Sequence, residues 1–281
     1  MSRRPRLSII IVNFNTQEWL RRCLTSLDRQ SISRTDLEVI VVDNASADDS
    51  VQMVRSEFPN CRLVCQEKNA GFGAANNAGA RESSAPTLLF LNPDTEVAEE
   101  NSIEQFLNMF EGQIDAVIAG GTIHDENGDL ERSSGSFPTL TSLVLDRLLA
   151  TCSILRTQLG SRSGRHWTGF DRQRNVDWVT AAAIWVRAEA FTAVGGFDEA
   201  IFMYYEDVDL CYRVTKAGLG RCIYHPSGAI THFRNKAPTS MDRKQLQRKW
   251  LRHFGRKHYN GPRHGLTRLT FACAYWVSRS R

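Results

Sequence analysis

Early in the chain, Leu7–Val12, Leu37–Val42 and Thr87–Leu91 are near-continuous apolar runs rich in Ile, Val and Leu. A strand with one wet face would alternate; an unbroken run fits a strand buried on both faces, as in a parallel sheet. Helical stripes separate the runs. Leu20, Cys23, Leu24 and Leu27 recur at i, i+3, i+4 and i+7. Val51, Val54 and Phe58 mark a second helix, and Ile103, Phe106, Leu107 and Phe110 a later one. Arg62–Cys65 reads as a short strand, Ala74–Glu82 as a helix after a glycine-rich loop, and Ala116–Ala119 as a further strand. Repeated strand–helix units imply an α/β fold, a mostly parallel sheet with helices on both faces. Such sheets bind ligands beyond the carboxyl ends of their strands. That singles out Asn13 and Asn15, then Asp43 and Asn44, then Asn92 and Asp94. Asn15 with Glu18 has the spacing of a capping pair, and Ser46 is placed to cap the second helix.

The second half is less regular. Asn127-Gly128 between Ile123 and Leu130 signals a hairpin. Residues 156–174, rich in Arg, Gly and Ser, read as a long loop, a lid or an acceptor-binding insertion. Trp178–Val186 is expected as a strand, Arg187–Val194 as a helix, and Cys222–Tyr224 and Ala229–His232 as short strands. Between them lies Glu206-Asp207-Val208-Asp209-Leu210-Cys211-Tyr212-Arg213, with Leu210, Val214 and Ala217 as its stripe and Gly218 as C-cap. Two helical patterns close the chain, at about 242–258 and 265–278. The last carries Leu266, Leu269, Cys273 and Trp276 on one face, which suits an interfacial helix or one docked on the domain.

At 281 residues, 42% hydrophobic and 23% charged, the chain has the composition of a globular protein with a sizeable core. Its formal net charge of +4 is unevenly placed: Arg243 to Arg281 holds eleven Lys/Arg, three His and no Asp or Glu. That points to an anionic surface nearby, a membrane face, a phosphate-bearing substrate or nucleic acid. No nucleic-acid motif accompanies it. The seven cysteines show no C-x-x-C spacing, as expected for reduced thiols. Neither a signal peptide nor a membrane span is expected.

Several groups have the composition of a site. Three carboxylates at the start of one helix, Glu206, Asp207 and Asp209, exceed what capping requires, and an aromatic run, Phe202 to Tyr205, precedes them. Asp209 stands i, i+4 from Arg213, which makes a helix-surface ion pair its simplest role. Asp94, in Asn92-Pro93-Asp94, suits a hard divalent cation or plain turn chemistry. Asp43 suits a base or ribose contact, or a helix cap. Asn69 to Gly79 contains G-x-G-x-x-N, an imperfect match to the dinucleotide fingerprint, and it does not follow its strand directly. His232 ends a strand and is a ligand or a packed side chain.

Taken together, Ser8 to Asn15, Val41 to Ser46, Asn69 to Gly79, Leu91 to Thr95 and Gly195 to Arg213 resemble the inverting glycosyltransferases of family 2, with the GT-A fold. Within that family the chain looks most like bacterial rhamnosyltransferases of cell-wall and O-antigen assembly. The resemblance implies a GT-A domain over residues 1–235, with a nucleotide-binding half at 1–120 and an acceptor and catalytic half at 121–235, and a basic helical extension at 236–281. It implies donor contacts from Asn13, Asn15, Asp43, Asn69, Asn76 and Asn92, with Asp43 at the pyrimidine. Asp94 would be the metal-binding acid of the family's D-x-D motif, whose first acid is Asn92 here, and His232 a further ligand to Mg2+ or Mn2+. Asp207 would be the catalytic base, with Glu206 beside it. The implied donor is dTDP-rhamnose, with a UDP-sugar as alternative. The implied acceptor is a sugar on a lipid diphosphate, met at the inner face of the plasma membrane by a cytoplasmic enzyme.

Overall fold

The structure, a computed structural model, describes residues 4–139, 171–234 and 243–259. Most of the 156–174 loop, the 265–278 helical pattern, Cys152 and Cys273 lie outside the described residues.

The first half alternates as its sequence predicts. β1 (Leu7–Asn13), α1 (Gln17–Asp28), β2 (Leu37–Asp43), α2 (Ser50–Glu57), β3 (Arg62–Cys65), α3 (Phe72–Glu82), β4 (Thr87–Leu91), β5 (Thr95–Val97), α4 (Ser102–Gly112) and β6 (Ala116–Gly120) follow in order. Then come β7 (Ile123–His124), β8 (Ser134–Gly135), β9 (Arg174–Asn175), β10 (Trp178–Val179) and β11 (Ala183–Arg187). The described chain continues with α5 (Ala188–Ala193), α6 (Glu206–Lys216), β12 (Arg221–Tyr224), β13 (Ile230–His232) and α7 (Arg243–His258).

An eight-stranded sheet runs β3-β2-β1-β4-β11-β6-β12-β9. β3, β2, β1 and β4 are parallel, whereas β11 is inserted antiparallel between β4 and β6. Successive residues of β1 point to opposite faces, which explains its unbroken apolar run. Ile9 and Ile11 pack with Leu20, Leu24 and Leu27 of α1 and Phe106 of α4; Ile10 and Val12 pack with Ala75 of α3 and Leu210 of α6.

Four local expectations are corrected. The Trp178–Val186 run is two strands, broken at Thr180–Ala182, where Ala181 N–H turns to Asp207. Ser46 does not cap α2; Asp48 does, accepting from Ser50 N–H at 3.1 Å. Ser46 Oγ instead accepts from Asn13 Nδ2 and Asn15 N–H, both at 2.9 Å. Nor do Asn15 and Glu18 form a capping box: Asn15 Oδ1 accepts from Ala47 N–H at 2.6 Å, Glu18 pairs with Arg21, and Asp48 Oδ2 takes Gln17 N–H at 3.0 Å. The loop after β2 thus caps α1, and Asn15 of the loop after β1 fastens Ala47 in return. On α2, Met53 rather than Val51 joins Val54 and Phe58 in the core.

The glycine-rich segment has a packing role. Gly71 has φ +90°, and a Cβ there would sit 2.7 Å from the Phe202 carbonyl oxygen. That oxygen accepts from Phe72 N–H at 2.8 Å. Asn77 brackets Phe197, donating to its carbonyl at 2.9 Å and accepting from its N–H at 2.8 Å. The close backbone approach that glycine permits therefore seats residues 197–202, which lead into the acidic helix.

Candidate active site

A three-stranded sheet, β5-β13-β7, crosses the carboxyl end of β4. Its pairing of His232 with Thr95 brings the histidine beside Asp94. His232 Nε2 lies 3.3 Å from Asp94 Oδ1, and Nδ1 lies 3.3 Å from Glu131 Oε2. Burial alone would lower its pKa; hydrogen bonds to Asp94 and Glu131 outweigh burial and hold it up at about 9. Glu131, itself buried, also accepts from Arg234.

Asp94 and His232 face a cavity of about 1140 Å3. Asn69, Asn92, Glu206 and Asp207 line it as well, so residues from both halves of the chain converge there. Phe202, Tyr204 and Tyr205 form part of the wall, whereas Trp185 lies in the core. Tyr204 and Tyr205 both have left-handed backbones, φ 68° and 74°, a strained entry into α6 that is held by the surrounding packing.

The acids of α6 differ in environment. Asp207 is half-buried, its oxygens accepting from Val208 N–H at 2.8 Å and Ala181 N–H at 3.2 Å. Burial pushes its pKa up and the two amides restrain the rise. The favourable field of the helix N-terminus is thus opposed by burial at this carboxyl. Glu206 is buried with Oε2 lacking any hydrogen-bond partner; burial, then the neighbouring Asp207 charge, drive its pKa well above the carboxylate range. Asp209 is not on the surface. It is fully buried and accepts from Arg213 Nε at 2.6 Å, His258 Nε2 at 2.7 Å and Lys257 Nζ at 2.9 Å. Burial would raise its pKa, but these partners overcome it and hold the carboxyl far below its usual range.

Four expected donor residues are not among those lining the cavity. Asn13 and Asp43 are buried and bonded together at 3.0 Å, with Asp43 Oδ2 also accepting from Ser46 N–H. Asn15 holds Ala47, and Asn76 bonds back to the Phe72 carbonyl. Asn13, Asn15 and Asp43 fix the loop that presents Asn44 to the cavity; Asn44 Nδ2 in turn donates to Asn69 Oδ1 at 2.9 Å. Asn44 was visible as a polar residue after β2. Glu131, Arg132 and Arg234 also line the cavity without a local sequence pattern that singles them out, and so do Arg243, Gln247 and Arg248 from the basic segment.

An imidazole nitrogen and a carboxylate oxygen 3.3 Å apart, aimed into one cavity, match two adjacent positions on a divalent cation. Among the described residues no three His, Cys, Asp or Glu converge on one point, so a cation there would need the remaining ligands from substrate or water. None of the described helices is long and apolar enough to cross a membrane.

Residues 8–170 match the sequence model of Glycosyl transferase family 2. The chain belongs to this family. It is 31% identical over 247 residues, 81% of this chain and 76% of the relative, to N-acetylglucosaminyl-diphospho-decaprenol L-rhamnosyltransferase of Mycobacterium tuberculosis. It is 27% identical to rhamnosyltransferase WbbL of Escherichia coli, over 80% of this chain and 82% of that one. Among solved structures, TarS of S. aureus superposes with a TM-score of 0.62 at 16% identity, over 92% of this chain and 40% of TarS. The mannosyltransferase PcManGT of Pyrobaculum calidifontis, in complex with GDP-Man and Mn2+, gives 0.60 at 15% identity, over 99% of this chain and 76% of that one. The fold of this family 2 glycosyltransferase is therefore that of the GT-A enzymes, as its motifs imply.

Proposed function

We propose that the protein transfers rhamnose from dTDP-rhamnose to a sugar carried on a lipid diphosphate, inverting the anomeric centre. The supporting observation is that Asp94, from the first half of the chain, and Asp207, from the second, face one cavity large enough for both substrates. The named rhamnosyltransferase relatives support the sugar and the acceptor class.

In this reading Asp207 takes the proton from the acceptor hydroxyl as that oxygen attacks the anomeric carbon. A base works best with a pKa near the operating pH, and burial moves Asp207 in that direction. Burial and the Asp207 charge push Glu206 toward its neutral form, which limits the negative charge beside the base. Asp94 and His232 would hold a divalent cation, and such an ion supplies charge stabilisation to the departing diphosphate. His232 must lose its ring proton to act as a ligand. Asn44, Asn69 and Asn92 offer hydrogen bonds to the donor, while Asp43 and Asn13 hold their loop. The catalytic domain works at the cytoplasmic membrane face, where a lipid-linked acceptor is reached.

The test is incubation with dTDP-rhamnose, Mg2+ or Mn2+, and a short-chain N-acetylglucosaminyl diphospholipid, followed by NMR of the product linkage. A rhamnosylated product of inverted configuration is expected. Turnover of a UDP- or GDP-sugar in preference, or donor hydrolysis without an acceptor, would refute the assignment.

A further inference from the structure

The Asn127-Gly128 hairpin carries a carboxylate into the site. Gly128 takes φ +84°, and its N–H donates to the Asp125 carbonyl at 3.0 Å. Asp125 Oδ1 accepts from the Asn127 and Asp129 N–H groups, both at 2.9 Å. This tight turn returns the chain along β7, where Leu130 bridges His124 and Glu131 N–H donates to the Ile123 carbonyl at 2.7 Å. β13 also pairs with β7, Ile230 opposite Ile123 and Thr231 opposite His124. The hairpin thus sets Glu131 beside His232, 101 residues away in sequence.

Glu131 is only 7% exposed. Burial would raise its pKa, but bonds from His232 and Arg234 outweigh burial and keep the carboxyl below its ordinary value. Arg234 pairs with Oε1, which leaves Oε2 for the imidazole. A carboxylate can only accept, so the hydrogen between Glu131 and the ring is on Nδ1. Nε2 is turned the other way, 3.3 Å from Asp94 Oδ1 and 3.4 Å from Asn92 Nδ2. An imidazole binds a cation through one nitrogen, and the partner of the other nitrogen fixes its tautomer and orientation. Glu131 meets the nitrogen away from Asp94, so it stands behind the ligand rather than beside it.

Resting on the reading of Asp94 and His232 as cation ligands, we propose that Glu131 is the positioning residue of this centre, accepting from His232 Nδ1–H and so holding Nε2 as the ligating atom beside Asp94. With two side chains offered to the cation, a misaligned ring removes half of what the protein supplies.

Mn2+ binding to the full chain, followed by EPR without turnover, tests this. At about pH 9.5 under nitrogen, competition from the ring proton, which is held up to about 9, is small. E131A should bind Mn2+ about 10–100-fold more weakly than wild type. E131Q keeps an oxygen that accepts from Nδ1–H and should recover most of that loss. Pulsed EPR should show an imidazole nitrogen coupled to Mn2+ in wild type and E131Q, none in H232A, and a weakened coupling in Mn2+-saturated E131A. Affinity of E131A within about threefold of wild type would overturn the proposal. So would E131Q binding as weakly as E131A, since the charge of Glu131 would then be all that matters. Should E131A fail to fold, 15N NMR of histidine-labelled wild type with Mg2+ decides: the His232 hydrogen is expected on Nδ1, and a hydrogen on Nε2 would contradict the assignment. A wild type without nitrogen coupling removes His232 as a ligand and the proposal with it, whereas a coupling unchanged in E131A removes the proposal alone. If the binding results hold and no sugar is transferred, the transfer reading fails and the role of Glu131 stands.

Discussion

Asp207 and Asp209 stand on the same turn of α6, yet their surroundings are opposite. Asp209 is fully buried and held by Arg213, Lys257 and His258, which keep it charged. Asp207 borders the cavity, accepts from backbone amides alone among the described residues, and is pushed toward protonation by burial. One carboxylate is fixed as an anion and anchors the helix; the other has no counter-ion among the described residues and can take a proton. Helix position alone, which gives both the same favourable N-terminal field, does not distinguish them. Partners from a helix about fifty residues later do.

The comparison can be broken first at Asp209. Truncating D209A leaves the partly buried Arg213 without its carboxylate and His258 without its acceptor, while Lys257 keeps Asp198, so a loss of about 3–5 kcal/mol in chemical denaturation is expected. A loss under about 1 kcal/mol would mean that α7 is held by its apolar stripe alone. The same carboxylate sets an acid limit. Its folded pKa lies below its unfolded value of about 3.9, so its contribution is present above about pH 4 and disappears as pH falls through the folded value. Stability measured from pH 5 downward should fall more steeply for wild type than for D209N.

A smaller effect is expected at the entry to the helix. G71A places a side chain at φ +90° against the Phe202 carbonyl, and a loss of about 1–3 kcal/mol should follow. Activity should fall with it, because that contact seats the segment leading to Glu206. The smallest effect belongs to Glu206. If it is neutral, E206Q removes no charge, and its unfolding free energy should stay within about 0.5 kcal/mol of wild type. A penalty as large as that of D209A would show Glu206 to be charged and undo the contrast between the acids.

The difference between the two aspartates also marks how far the sequence is legible. The parallel half of the sheet could be read directly, because strands buried on both faces leave unbroken apolar runs. The inserted strand β11 was less legible. Its apolar run continues through Thr180–Ala182, and only the bond from Ala181 to Asp207 reveals the break. Asp94, His232, Glu206 and Asp207 were recognisable from their motifs and do share a cavity. Their supports were not. Glu131 lies after a hairpin and acts through tertiary contact with His232. Ser46, Asn15 and Asp48 have the residue types of local caps but bond across loops, a choice that depends on the β1–β2 register. The basic segment was read as facing an anionic surface, and part of its charge in fact meets Asp198 and Asp209 inside the protein.

The central claim, that the uncompensated Asp207 is the base, is tested most directly by D207N assayed for both transfer and donor binding. Asparagine keeps the shape and cannot accept the proton. Transfer should fall by a factor of about 10²–10⁴, with donor protection against thermal unfolding unchanged. Transfer at more than a tenth of the wild-type rate would contradict the account.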